Sequence, residues 1–361
     1  MTAFDTLFWF LIVMLGVVAY AIEAGLAVRH RQAVLVTMFS MVAAILYMML
    51  GGDEGLFGRY GTTPGRDAAL PTIALPKIEL KEGDGALIGL RGIAVPAASA
   101  PVTERNMPVG PFVDCENCPS MIAVPAGRFT MGSPVTERGR RDTEGPVDII
   151  LKDPIAVGRY EVTREQFAAF VEDTRQSISG GCTINGRSSS SASWQQPGFE
   201  QAGNHPVVCV TWRDARAYVA WLSRKTKKTY RLLSESEWEY MARAGATTEF
   251  THGPILGSSH ANFNRGRDGT IPIGYTSANQ FGIHDVQGNA WEMVEDCWNP
   301  DLSFNTFDGR ATVLRGDCSQ RVIRGGGWDS TALQARLAAR AVLDSGAAAN
   351  TVGFRVARTF E

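Results

Sequence analysis

A short segment near residue 290 carries residue types that could bind a hard cation. Gly288-Asn289-Ala290-Trp291-Glu292 follows Asp285 closely, so that two acids, a glycine and an asparagine surround a tryptophan. Carboxylate oxygens and inward-turned backbone carbonyls are the ligands that Ca²⁺ prefers in loops. A glycine turn that leads into a strand with a buried tryptophan is the competing interpretation, and local composition alone favours it.

Six cysteines could form disulfides, bind metal or act in redox chemistry. In an exported chain, which the N-terminus indicates, an even count favours three disulfide bonds. Pairing of sequence neighbours predicts Cys115–Cys118, Cys182–Cys209 and Cys297–Cys318. The single Cys-x-x-Cys pair is followed by Pro119 rather than His, which excludes covalent haem attachment, and the lack of a second pair argues against zinc.

Composition favours a turn-rich domain, and nothing in it suggests a nucleic-acid partner, so none is expected. The 361 residues suffice for one large or two ordinary domains, and the formal net charge is −2. A nucleic-acid-binding protein would need a basic face. The 38 Gly and 17 Pro suit a compact domain with many turns better than a helical bundle.

Two apolar runs predict a transmembrane helical hairpin over residues 1–50. Leu7–Val28 contains one acid, Glu23, and Ala33–Leu50 contains no charge, so each run approaches the roughly 20 residues that span a bilayer. The positive-inside rule places the basic turn Arg29–Gln32 in the cytoplasm. Both termini and the following domain are then predicted on the periplasmic side of the inner (cytoplasmic) membrane. A cleaved signal peptide is the competing interpretation.

Residues 51–110 are rich in Gly, Pro and Ala and show little periodicity. This composition predicts either an extended or disordered linker, or an arm that wraps over the surface of a partner. The remaining residues, 111–361, are predicted to form the exported domain.

Residue patterns in this domain predict an α+β fold with many short strands and few helices. Capping boxes predict helix starts at Thr163 and Ser234, and an amphipathic pattern predicts a helix over Trp212–Thr226. Strand patterns occur in three segments, predicted as a hairpin, a strand pair and a single strand: Met121–Ser133, Val147–Val157 and His205–Trp212.

Six segments of the domain, in this order, carry a resemblance to a known family. They are Val124–Ser133, Tyr160–Thr163, Arg231–Glu239, Gly288–Glu292, Arg324–Trp328 and Val352–Ala357. Together they resemble the formylglycine-generating enzyme (sulfatase-modifying factor) family. The resemblance implies the family's single, irregular α+β domain, which is related to C-type lectins.

The resemblance also implies two structural Ca²⁺ sites. One would use the side chains of Asp285 and Glu292 and the carbonyls of Gly288 and Ala290. This implication reverses the interpretation that local composition favours. The other site would fall on a segment that is shorter here than in typical members, with ligands from Asn262, Phe263, Asp268 and Thr270.

The catalytic cysteines of the family do not carry over. Its enzymes resemble a copper-dependent oxidase with two cysteines after a Gly-Gly-Ser motif, and Cu(I) needs soft thiolates. Here Gly327 replaces the serine, Ser330 stands near the first cysteine position and Ala335 near the second, and no cysteine follows Cys318. We therefore expect no copper and no formylglycine synthesis. The family's iron-dependent branch is unexpected too, because the five His are scattered along the chain.

Functions from different classes remain open. The first is a membrane-anchored, non-catalytic periplasmic domain that serves as an accessory or scaffold subunit of an integral membrane protein complex. The second is a maturation factor or enzyme that uses a non-thiol version of the family groove on an exported protein. Its candidate groove residues, which could equally form a salt-bridged core, are Trp328, Asp329, Ser330, Arg336 and Arg340. Carbohydrate or peptide recognition, in the manner of C-type lectins, is a third.

Overall fold

The computed structural model describes residues 107–360, except residues 179, 265–268 and 306. The predicted transmembrane hairpin over 1–50, and the predicted linker as far as residue 106, lie outside the described residues. Within the part that is described, no helix is both long enough and apolar enough to cross a membrane.

Three α-helices begin at capping boxes. They are α1 (Arg164–Thr174), α2 (Trp212–Thr226) and α3 (Glu235–Arg243). At each start, the side chain of Thr163, Thr211 or Ser234 accepts a hydrogen bond from the third helical N–H, and that residue's side chain caps the helix in return. The predicted starts at Thr163 and Ser234 and the predicted range of α2 are confirmed, because capping is a local interaction.

The strands are short and fall into four sheets. They are β1 (Met121–Val124), β2 (Gly127–Met131), β3 (Val147–Leu151), β4 (Ile155–Gly158), β5 (Cys182–Ile184), β6 (Arg187–Ser189), β7 (Tyr230–Leu232), β8 (Trp291–Trp298), β9 (Asp317–Arg324), β10 (Arg340–Asp344), β11 (Val352–Phe354) and β12 (Val356–Thr359). The two larger sheets have the orders β1-β4-β12-β7 and β10-β9-β8-β11, and the smaller ones pair β2 with β3 and β5 with β6. The mixed α/β fold with few helices agrees with the prediction.

Two of the predicted strand arrangements are wrong. β1 and β2 do not form a hairpin, because Ile122 of β1 pairs with Val157 of β4, whereas Phe129 of β2 pairs with Ile149 of β3. For the same reason, β3 and β4 are not a pair. The pairing of each strand depends on the core residues against which it packs. The pattern of apolar and polar residues within one strand does not show which strand will be its neighbour.

The predicted strand over His205–Trp212 is also absent from the described structure. Cys209 has a φ of 59°, in the left-handed region, and only a single bridge joins Pro206 to Thr163. The disulfide to Cys182 holds this segment instead, and the backbone N–H of Cys209 bonds to the carbonyl of Ala349.

Two large apolar clusters and two small ones form the interior of the described residues, and α3 is buried within it. All nine residues of α3 are buried, including Glu235, Glu237, Glu239 and Arg243. A helix that is polar in composition and buried on every side needs partners for its charges. Those partners are Arg231 of β7, Arg324 of β9 and Arg340 of β10, and Arg243 pairs with Glu239 within the helix. Arg340 is one of the candidate groove residues, so the helix leads to the candidate site.

Candidate functional site

The segment that would hold the family's catalytic cysteines forms a tight, closed turn. Gly325 and Gly326 have φ values of 91° and 82°, which favour glycine, and a Cβ on Gly326 would lie 3.0 Å from Ala335. The Ser330 hydroxyl accepts a hydrogen bond from the N–H of Gly327 at 2.9 Å. Ser330 and Ala335 are both buried, so the two positions sit inside the turn.

Trp328 anchors this turn to a neighbouring loop. Its indole N–H donates to the carbonyl of Asn350 at 3.1 Å, and the Asn350 amide donates to the carbonyl of Pro197 at 3.1 Å. The ring of Phe199 meets the Trp328 ring edge to face at 5.4 Å. Of the candidate groove residues, Asp329 alone is exposed.

The two candidate groove arginines are held in internal ion pairs. Arg336 donates to both carboxylate oxygens of Glu144 at 2.9 Å and also pairs with Glu137. Arg340 donates to the two oxygens of Glu235 at 2.6 Å and 2.8 Å. Their guanidinium groups therefore serve the core and are unavailable to a substrate, which is the salt-bridged alternative of the sequence analysis.

Arg340 belongs to a larger buried network around α3. Arg324 pairs with both Glu235 and Glu239, and Arg243 donates to Glu239 at 2.7 Å and 2.8 Å. Each carboxylate oxygen of the two glutamates accepts at least one hydrogen bond. This α3 network is a closed set of charges, typical of a structural element.

All six cysteines are in disulfide bonds: Cys115–Cys118, Cys182–Cys209 and Cys297–Cys318. The prediction of three disulfide bonds is confirmed, and the pairs are sequence neighbours. No free cysteine is present in the described residues, so a thiolate ligand for Cu(I) is missing there.

The predicted Ca²⁺ segment leads into β8 through a left-handed backbone. Asp285 and Gly288 have φ values of 57° and 77°, and a Cβ on Gly288 would lie only 2.2 Å from the carbonyl oxygen of Asn262. The Asp285 carboxylate accepts hydrogen bonds from the Gly274 N–H at 2.5 Å and the Thr276 hydroxyl at 2.6 Å.

Glu292, the second predicted side-chain ligand, has strong partners of its own. Its carboxylate accepts from the Trp238 indole at 2.8 Å and from the Arg355 guanidinium at 2.6 Å and 3.0 Å. Arg355 is fully buried and also donates to the carbonyl of Gly158. Glu292 therefore needs no metal ion to be satisfied.

A third carboxylate, Glu161, completes this centre. It is 1 % exposed, and neither of its oxygens has a hydrogen-bond partner among the described residues. Burial, and then the negative charge of Asp285, raises the pKa of Glu161 well above its usual value. Glu292 is ion-paired with the guanidinium of Arg355, and Glu161 and Asp285 lie close enough to interact with it electrostatically. We call these four residues the acidic centre.

The acidic centre adds a third carboxyl group, that of Glu161, to the two side chains predicted to bind Ca²⁺. If all three carboxyl groups ionise, two negative charges remain uncompensated in a buried space, which is costly without a cation. Within the described residues, no three Asp, Glu, His or Cys side chains converge closely enough to form a metal site by themselves. A Ca²⁺ ion here would also need carbonyl ligands, such as those of Gly288 and Ala290, and it would cross-link separate loops.

The second predicted Ca²⁺ site is only partly described. Asp268 lies outside the described residues, and Phe263 is half-buried. The Asn262 amide nitrogen donates to the carbonyl of Gly269 at 3.1 Å, while its oxygen is buried without a partner. The Thr270 hydroxyl is engaged by Gln201 and His205. The unpartnered Asn262 oxygen suits a cation.

Sequence reasoning missed Glu161. The residue lies between Tyr160 and Val162, two positions before the N-cap of α1, inside a segment that carries the family resemblance. An acid next to the apolar Val162, which is fully buried, was the available clue. Its closeness to Asp285 depends on the fold and has no sequence signature.

Comparisons with known proteins agree with this architecture. Residues 111–360 match the family described as "Sulfatase-modifying factor enzyme 1-like domain". The formylglycine-generating enzyme of Thermomonospora curvata is 30% identical over 286 residues, which cover 66% of this chain and 92% of that protein. A Bos taurus protein named "Inactive C-alpha-formylglycine-generating enzyme 2" is 27% identical, covering 66% of this chain and 87% of its own length.

A solved structure supports the same assignment. PvdO from Pseudomonas aeruginosa is 36% identical and superposes with a TM-score of 0.64, covering 70% of this chain and 98% of that chain. The matches confirm the family resemblance of the six segments. The chain belongs to the formylglycine-generating enzyme (sulfatase-modifying factor) family.

Proposed function

We propose that this chain is a non-catalytic member of its family, acting as an accessory or scaffold subunit of an integral membrane protein complex. Its domain would lie on the periplasmic side of the inner membrane, held by the two predicted N-terminal spans. Disulfide-bonded cysteines support an oxidising compartment of this kind.

The observation that carries the proposal is the closed turn at Ser330. A hydroxyl cannot replace a thiolate as a Cu(I) ligand, and this hydroxyl is already bonded to the Gly327 N–H. Arg336 and Arg340 are occupied by glutamates. The turn therefore lacks the groups for the family's oxidation while the surrounding fold is kept.

A copper titration tests the non-catalytic part of the proposal. We expect that the full chain in detergent will not remove Cu(I) even from a chelator that binds this ion weakly. The reason is that its cysteines are all in disulfide bonds and none can act as a thiolate ligand. The formylglycine-generating enzyme of Thermomonospora curvata is the matched positive control. Stoichiometric Cu(I) uptake by this chain, or conversion of a cysteine peptide, would overturn this part.

Two further measurements test the anchored-subunit part. A C-terminal alkaline phosphatase fusion should be active and a C-terminal green fluorescent protein fusion dark, since the domain is proposed to be periplasmic. After mild detergent extraction the chain should copurify with other membrane proteins in a fixed ratio. Purification as a lone monomer would contradict the subunit role and favour the alternative, a maturation factor that acts on an exported protein with non-thiol chemistry.

A further inference from the structure

A cavity of about 510 Å³ lies between β2, the C-terminal end of α3 and the segment that contains Phe281. It lies apart from the closed turn and the acidic centre, and its volume is within the range of small-molecule sites, roughly 300–1,000 Å³. Nothing in the family's chemistry described above uses it.

Three aromatic rings form one wall of the cavity. The ring centroids of Phe129 and Tyr240 are 5.4 Å apart, and those of Tyr240 and Phe281 are 5.8 Å apart. Phe129 and Phe281 are only partly buried, so their rings offer apolar surface to an occupant. Two aromatic rings prefer a tilted or offset arrangement with their centroids at distances of this size, so the wall could hold the ring of a ligand in the same way.

Gly127 sets the position of this wall. A Cβ at residue 127 would lie 2.2 Å from the Tyr240 hydroxyl oxygen, so only glycine lets the Tyr240 ring lie where it does. Pro134 and Pro146, which have no N–H to satisfy, also line the cavity. The cavity is thus shaped by specific residues and is mainly apolar.

One cation is available at the rim. Arg128 is exposed, lines the cavity and forms no ion pair among the described residues. Arg243 also lines it, but Glu239 and the carbonyl of Gly132 hold its guanidinium. The acid on the adjoining strand β3, Asp148, lies opposite Thr130 in the strand register and not opposite Arg128. Its carboxylate accepts a hydrogen bond from the Thr130 hydroxyl.

We propose that this cavity binds a small aromatic acid, with the ring against Phe129, Tyr240 and Phe281 and the carboxylate on Arg128. An apolar pocket with one well-placed cation selects such a ligand, because the ring is desolvated and the anion gains a charge-assisted hydrogen bond. This site is separate from the proposed subunit role, and each can fail without the other.

The test is isothermal titration of 4-hydroxyphenylacetate into the full chain in nanodiscs, with empty nanodiscs as the blank. We expect saturable binding at one site per chain. Arg128→Ala should weaken it about tenfold, the loss expected for one hydrogen bond to a charged group. Arg213→Ala, at another exposed arginine outside the cavity, is the matched control and should leave binding unchanged.

Two more variants and one ligand analogue test the aromatic wall and the carboxylate contact separately. Thr247→Trp should fill the cavity from an exposed position and abolish binding, and Gly127→Ala should weaken binding by displacing Tyr240. The neutral amide analogue should bind wild type and Arg128→Ala equally weakly. Absence of binding to wild type, or binding that neither Arg128→Ala nor Thr247→Trp changes, would overturn the proposal. Binding of aromatic peptides but not of the free acid would overturn the small-ligand assignment.

Discussion

Two buried charge clusters differ in how completely their carboxyl groups are paired. In the α3 network, Arg243, Arg324 and Arg340 meet Glu235 and Glu239, and every carboxylate oxygen accepts a hydrogen bond. In the acidic centre, three carboxyl groups meet one guanidinium, and one carboxyl group, that of Glu161, has no partner among the described residues.

The difference separates a structural role from a binding role. A buried ion network in which every carboxylate is paired with a guanidinium holds the surrounding segments together and needs nothing from outside. A buried cluster with surplus negative charge either keeps a proton or takes up a cation. The α3 network is therefore expected to respond to mutation, and the acidic centre to respond to ions.

The largest loss of stability should come from breaking the α3 network. Arg324→Met removes the partner that Glu235 and Glu239 share, and breaking a buried pair in this way costs about 3–5 kcal/mol. Urea unfolding of the purified chain, followed by tryptophan fluorescence, measures the loss. Arg213→Ala, at an exposed arginine, should leave stability unchanged. A loss below about 1 kcal/mol for Arg324→Met would mean that the network is not structural.

An intermediate effect is expected from calcium. Free Ca²⁺ at 100 times its dissociation constant should stabilise the chelator-treated protein by about 2.7 kcal/mol. Glu161→Gln should remove most of this gain, because glutamine cannot release a proton and so cannot supply the negative charge that Glu161 would carry beside a bound cation. Glu165→Gln changes an exposed glutamate of the same helix start and should keep the gain.

Thermal unfolding with calcium and after chelator treatment distinguishes the outcomes. No gain in the wild type would contradict both predicted Ca²⁺ sites. An equal gain in the wild type and in Glu161→Gln would place the ion elsewhere, with the second predicted site at Asn262 as the remaining candidate.

The smallest change, measured over a single pH unit, concerns Asp296, whose carboxyl group accepts a hydrogen bond from the backbone N–H of Glu235 in the α3 network. Burial, and then the charge of Glu235, raises the pKa of Asp296 to about 7 in the folded state. The unfolded chain releases this proton near its ordinary pKa of about 3.9, so between these values the folded state holds more protons. Stability due to Asp296 should therefore fall as pH rises from about 4 to about 7, by up to about 1.4 kcal/mol per pH unit.

Asp296→Asn should flatten that slope. The amide cannot accept from both N–H groups that the carboxyl binds, those of Glu235 and Thr312, so the variant should also be less stable overall. The slope between pH 5.5 and 6.5, measured by urea unfolding, is the diagnostic quantity. An unchanged slope would show that Asp296 does not titrate in this range.

The sequence was informative where structure is local. The caps at Thr163 and Ser234 follow from residues three positions apart, and the start of α2 follows from its apolar stripe. The six family segments also identified the fold before any strand pairing was known. These features depend on short-range spacing, which a single sequence displays.

Long-range pairing was not predictable in the same way. The hairpin expected over Met121–Ser133 divides between two sheets because its strands bury their faces in different places. Glu161 lies near Asp285 although more than a hundred residues separate them in sequence, and nothing in the sequence around either residue indicates that they are close. Glu144 and Glu235, the partners of Arg336 and Arg340, also lie more than a hundred residues before them in sequence.

The position of β12 has a consequence for how the domain is made. This strand lies between β4 and β7, with Ala357 paired both to Val157 and to Arg231. The first sheet is thus divided in two until the residues near 357 have been synthesised and, if the domain is exported, translocated. Such contacts between distant parts of a chain slow folding. Chains shortened before β12 are expected to remain open and vulnerable to proteases.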